Sequence, residues 1–162
     1  RAGLSAPALT QRFGSKRALL VAFATSEADA VAVTFDAARG RAADPLAAVR
    51  DALTSLAGPI ATREGLANNL AFLQLDLTDA ELREHAVAQS RAIRAHLAAL
   101  LDEAAATGHI VIDGTAILAD TLYAIYCGAL VTWAIDGTGD LGPWLAERVD
   151  RILAQHTASR AS

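Results

Sequence analysis

Apolar side chains recur along most of this chain at intervals of three and four residues, the spacing that gathers them on one side of an α-helix. From Ser15 to about Arg39 no proline interrupts, and Leu19, Phe23, Ser26, Ala30, Val33 and Ala37 hold that spacing, which predicts one long helix. Gly40 to Pro45 breaks the pattern. Pro45, suited to a first helical turn, opens a second helix with the stripe Leu46, Val49, Leu53, Leu56 and Ile60, and Pro59 predicts a kink or early stop. A shorter helix, about Glu64 to Leu77, carries Leu66, Leu70, Leu73 and Leu77, with Asn69 and Phe72 on its flanks. Thr78 and Glu81 have capping-box spacing, and the helix they open is striped by Leu82, Ala86, Gln89, Ile93, Leu97, Leu100 and Ala104 as far as Gly108. Asp113 is placed to cap the next helix. Pro143 is placed to start the last one, striped by Leu145, Val149, Ile152 and Leu153. The expected fold class is all-α.

The segment from Thr121 to Ile135 has no charge and is bounded by Asp120 and Asp136. It falls short of the ~20 residues that cross a bilayer, so a buried helix is expected and no membrane partner. At 100° per residue, Ala124, Gly128 and Thr132 form a small-residue face, and Leu122, Tyr126, Ala129 and Trp133 form the roughly opposite one. Glycine inside a helix costs about 1 kcal/mol against alanine, which points to a packing reason for Gly128.

Hydrophobic residues make up 53% of the 162 positions and aromatics only 5%, which suits helices packed closely through small side chains. One cysteine, Cys127, excludes an internal disulfide and makes a reducing cytoplasm the expected location. No basic and apolar leader opens the chain. The net charge of −4 argues against nucleic acid until its distribution is considered. Residues 1–26 contain Arg1, Arg12, Lys16 and Arg17 and no acid, whereas the rest is strongly acidic. A small basic end on an acidic body suits a DNA reader with a separate regulatory domain.

Within that basic end, Gly3 suits the sharp turn between two crossed helices, and Ser5 can cap the helix that follows. Pro7 falls in its first turn, and Leu9 and Phe13 give it one apolar side. Gly14 can end it, and Ser15 can cap a helix beginning at Lys16, the chain's single lysine. A cation in a first helical turn opposes the helix dipole, and it makes sense where a phosphate docks.

The run from Gly3 to Leu19 resembles the recognition helix and the start of the fourth helix of TetR-family transcriptional regulators. Gly3, Leu4, Ser5, Leu9, Phe13, Lys16 and Leu19 match the family pattern in order and spacing. Thr10 stands where the family usually has a phosphate-contacting tyrosine. The resemblance implies that Ser5, Ala6, Pro7, Thr10, Gln11 and Arg12 face operator DNA and that Lys16 holds a phosphate. Because Arg1 falls in mid-motif, it also implies that the first helix and most of the second precede this sequence. Residues 1–26 would complete a helix-turn-helix domain, and residues 27–162 would form a helical ligand-binding and dimerisation domain.

In such a homodimer the last two helices pair with their copies, which assigns Ala124, Gly128, Thr132, Leu145, Val149 and Ile152 to the interface. A small apolar or aromatic effector would lie between the long helices. Asn69, Phe72, Leu73, Gln89, Ile93, Leu97, Leu122, Tyr126 and Trp133 are the candidate lining, with Asn69, Gln89 and Tyr126 favoured because inward polar atoms need partners. A repressor released by its ligand is expected. The alternative is a protein of the same body that binds ligands or partners without reading DNA, favoured by Thr10.

No catalytic set, metal site or cofactor is expected. His85 and His96 lie about 16 Å apart along one helix, too far to share a metal. His109 and His156 fall near helix ends, and Cys127 lies in the most apolar helix without a base nearby in sequence. Asp76 and Asp79 read as turn and cap residues.

Overall fold

The computed structural model describes residues 15–157, with the side chains at 16, 17, 23, 24 and 26–29 excepted. Its elements are α1 (Lys16–Arg41), α2 (Pro45–Ala57), a 3-10 turn (Gly58–Ile60), α3 (Arg63–Thr78), α4 (Ala80–Ala106), α5 (Thr115–Asp136) and α6 (Leu141–Ala154). The all-helical expectation holds. Among the described residues the extended pairing is limited to a single bridge between Ile110 and Thr157, which ties the loop after α4 to the end of α6.

Local chemistry sets most helix boundaries. The Ser15 hydroxyl accepts from the Ala18 N–H at 3.0 Å and starts α1. Asp44 accepts from the Ala47 N–H at 2.8 Å, with Pro45 beside it in the first turn of α2. Pro59 stops α2 at Ala57 and turns the chain through the 3-10 segment. Two predicted caps are corrected. Thr78 ends α3, its hydroxyl donating back to the Gln74 carbonyl, while Asp79 caps α4 by accepting from the Glu81 and Leu82 N–H groups. Asp79 prevails because a carboxylate is the stronger acceptor and Thr78 is still helical. The residue before α5 is Gly114, with φ of 102°, rather than Asp113. Thr115 instead donates to Asp102 at 2.5 Å, tying the start of α5 to α4. The last helix begins at Leu141, two residues before Pro143.

Helix α4 is the central post. It packs against α1, α2, α3 and α5, while α6 closes the bundle against α2 and α5. Val31, Val49, Leu53, Leu97, Leu101, Leu122, Leu141, Leu145 and Val149 are fully buried at the centre. Surface pairs join the helices around this core: Arg41 with Asp51, Arg50 with Asp150 and Arg94 with Asp120. Each such exposed pair contributes only about 0–1 kcal/mol, so burial holds the bundle together and the pairs trim its register.

Helix α5 is buried within the chain on one side only. Leu118, Ala119, Leu122, Tyr126, Ala129, Leu130 and Trp133 point inward, while Ala124, Gly128 and Thr132 are exposed. Its 22 residues, with a mean hydropathy of 1.4 in the most apolar window, are long and apolar enough to cross a membrane by length and composition. The charge-free run understated the helix, which continues past Asp120 at one end and takes in Asp136 at the other.

Candidate ligand-binding cavity

Helix α3 lies against α4 and only lightly against α5, so its inner face is not fully packed. Leu66 is its one buried side chain, and Leu70, Phe72 and Leu73 remain partly exposed. Between α3, α4 and α5 this leaves a cavity of about 370 Å³, within the range of small-molecule sites. Leu20 of α1 and Pro59 and Ile60 of the 3-10 turn also form its wall. The grooves at the α2–α6 side are more open, and the Arg50–Asp150 pair lies in one of them.

Six of the nine residues expected to line a cavity do so: Asn69, Phe72, Leu73, Gln89, Ile93 and Tyr126. Three do not. Leu97 lies one turn beyond Ile93, where α1 and α2 cover α4, and it is fully buried in the core. Leu122 is likewise sealed in the core, one turn before Tyr126. Trp133 packs at the far end of α5, where its indole N–H donates to the Gly139 carbonyl at 3.2 Å. Arg63 lies over its ring at 5.4 Å and donates to the carbonyls of Ala134 and Gly137 at 2.9 Å each. That arrangement fixes the α5–α6 turn against the start of α3.

The structure adds lining residues that the stripe reading passed over, chiefly Asp76, His85, Tyr123 and Cys127. Asp76 is an interior residue of α3, not a turn residue, and helical spacing from Asn69 and Leu73 was the available signal. Burial raises its carboxyl above the ordinary range. Tyr123 and Tyr126 stand with their rings 6.4 Å apart and nearly parallel. Burial also raises the Tyr123 phenol, with a hydrogen bond to Ser90 opposing it. The Cys127 thiol is raised by desolvation, with Tyr123 opposing, although the residue as a whole is exposed. Among the described residues, no hydrogen bond engages the side-chain amides of Asn69 and Gln89 within the chain. The other histidines have structural surroundings: His96 stacks on Phe35 at 5.1 Å, and His109 meets the Thr107 hydroxyl at 2.8 Å.

The DNA-facing candidates Ser5, Ala6, Pro7, Thr10, Gln11 and Arg12 lie outside the described residues, as does the side chain of Lys16. Lys16 is nevertheless the first residue of α1, directly after the Ser15 cap. Of the interface candidates, Ala124, Gly128 and Thr132 lie on the outer face of α5, in line with the exposed Ile117, Val131 and Ile135. Leu145 and Val149 are corrected, because both are fully buried within the chain. Ile152 is partly buried against the same core. A helix with one apolar stripe buries it once, and α6 spends its stripe on the subunit's own core. Its outer face carries Glu147, Asp150 and Arg151, with Arg151 and Glu147 paired at 2.6 Å.

No family model, curated protein or solved structure matches this chain.

Proposed function

We propose that this chain belongs to a homodimeric, TetR-like transcriptional regulator, a repressor released from its operator when a small molecule enters the α3–α4–α5 cavity. The observation that carries the reading is the course of α1. This helix starts at Lys16, within the basic segment 1–26, and one turn later its Leu20 forms part of the cavity wall. A helix is stiff over that distance, so a molecule pressing on the wall at Leu20 shifts the Lys16 end as a lever. A ligand acts this way only by preferring the released state over the DNA-bound one. The cavity's apolar walls and uncommitted amides suit such an effector.

The outer face of α5 supports a dimer, since a second copy would cover its exposed apolar side chains about a two-fold axis. The direct test is selection of the full-length protein against random duplex DNA. The expected result is an enriched palindrome with half-sites about one helical turn apart, and no enrichment would favour a ligand-binding protein that does not read DNA. Lys16→Ala should weaken binding to all sequences alike and flatten the salt dependence by about one unit of slope. A changed sequence preference at unchanged salt slope would overturn the phosphate role.

A further inference from the structure

The cavity wall contains a carboxylate that no described side chain pairs with. Asp76 projects from α3 into a wall shared with Leu73, Phe72 and the Tyr123–Tyr126 pair. Among the described residues, it is the one acidic residue in that wall, which holds no described lysine or arginine. Among the described residues, it takes part in no ion pair or hydrogen bond. The other titratable groups in the cavity, among the described residues, are His85 on α4 and Tyr123, Tyr126 and Cys127 on α5. Burial raises the Asp76 carboxyl above its ordinary range. A carboxylate kept partly out of water without a partner opposes folding, and a bound cation offsets that cost.

We propose that the cavity takes a protonated amine on an apolar or aromatic body, with Asp76 supplying the opposite charge and the tyrosine rings supplying aromatic surface. The body displaces water from the Leu66, Leu70 and Leu130 side of the cavity, and the ammonium group lies toward Asp76. An aromatic face near a cation adds electrostatic attraction to the packing. Asn69 and Gln89 are placed to orient polar substituents. This inference rests on the ligand-binding reading above and narrows it to a chemical class.

Three probes with the same phenylalkyl body separate the two claims: phenylbutylamine, phenylbutanol and phenylbutyrate, each titrated into the full chain by calorimetry. The amine should bind about tenfold more tightly than the alcohol, and the acid most weakly. Asp76→Asn, nearly isosteric, should abolish the preference for the amine while leaving alcohol binding unchanged, and Asp76→Glu should retain it. Amine and alcohol binding equally to the parent protein would overturn the cation inference while leaving the ligand-binding reading in place. So would an amine preference that survives in Asp76→Asn. If none of the three binds or shifts the melting temperature, both fall together.

Discussion

Replacing Gly128 separates a free outer face on α5 from a paired one. A Cβ built at Gly128 meets nothing within 4 Å in the single chain, and Ile117 and Ile135 on the same side are 72% and 77% exposed. In an isolated chain, Gly128→Ala and Gly128→Leu should therefore both stabilise the helix, by about 0.8–1.0 kcal/mol for alanine and slightly less for leucine. If α5 pairs with its copy across Gly128, the two substitutions diverge. Leucine would push the backbones apart at about 1–3 kcal/mol for each copy. It would also uncover Ile117, Val131 and Ile135, whose burial contributes about 1.5–3 kcal/mol per side chain when complete. The expected outcome is that Gly128→Leu sediments as monomer or aggregate with a concentration-dependent loss of melting temperature, while the parent protein sediments as dimer. A Gly128→Leu protein that remains dimeric with a raised melting temperature would refute the interface. The pairing would then have to lie elsewhere, since Leu145 and Val149 are sealed inside the subunit.

Gly137→Ala should destabilise the fold by about 1–3 kcal/mol in urea denaturation, because its Cβ would fall 2.6 Å from the Trp133 carbonyl oxygen and force apart the turn held by Arg63. Asp76→Asn should stabilise the ligand-free protein at neutral pH. A carboxyl raised on folding binds protons more readily in the native state, so its unfavourable contribution grows as pH rises and fades below its ordinary value of 3.8. The stability gap between parent and variant should therefore narrow on acidification, and a constant gap would contradict the desolvation cause. Phe72→Ala, in the partly exposed cavity wall, should weaken probe binding in calorimetry, and an unchanged affinity would place the probe outside the cavity.

Helix existence was legible because the signals were local and redundant. Ser15, Pro45 and Pro59 each act through backbone geometry that a neighbour rarely overrides. Caps were legible only to within a residue: Thr78 and Asp79 compete for the same N–H groups, and which one wins depends on where α3 ends. The inward and outward faces of α5 were readable from side-chain size, because large aromatics bury more area than Ala124 or Gly128 can. The destination of the α6 stripe was not readable. Leu145 and Val149 give the same pattern whether they meet their own subunit or a second one. The cavity was half legible. Stripe positions gave the correct faces of α3, α4 and α5 but not the length over which α3 stands away from the bundle, so Leu97 and Leu122 were assigned one turn too far. Asp76 was passed over because a charge in the last turn of a helix reads as a turn residue, although the predicted helix already ran past it to Leu77.

The measurement that bears most directly on the account is operator affinity of the full-length protein with and without a saturating cavity ligand. It should be made on the parent protein and on Phe72→Ala, with phenylbutylamine as the first ligand tried. Coupling through α1 predicts an affinity loss of about tenfold or more in the parent, within the usual range for linked sites, and little change in the variant. Operator affinity that stays constant while calorimetry shows the cavity occupied would contradict it.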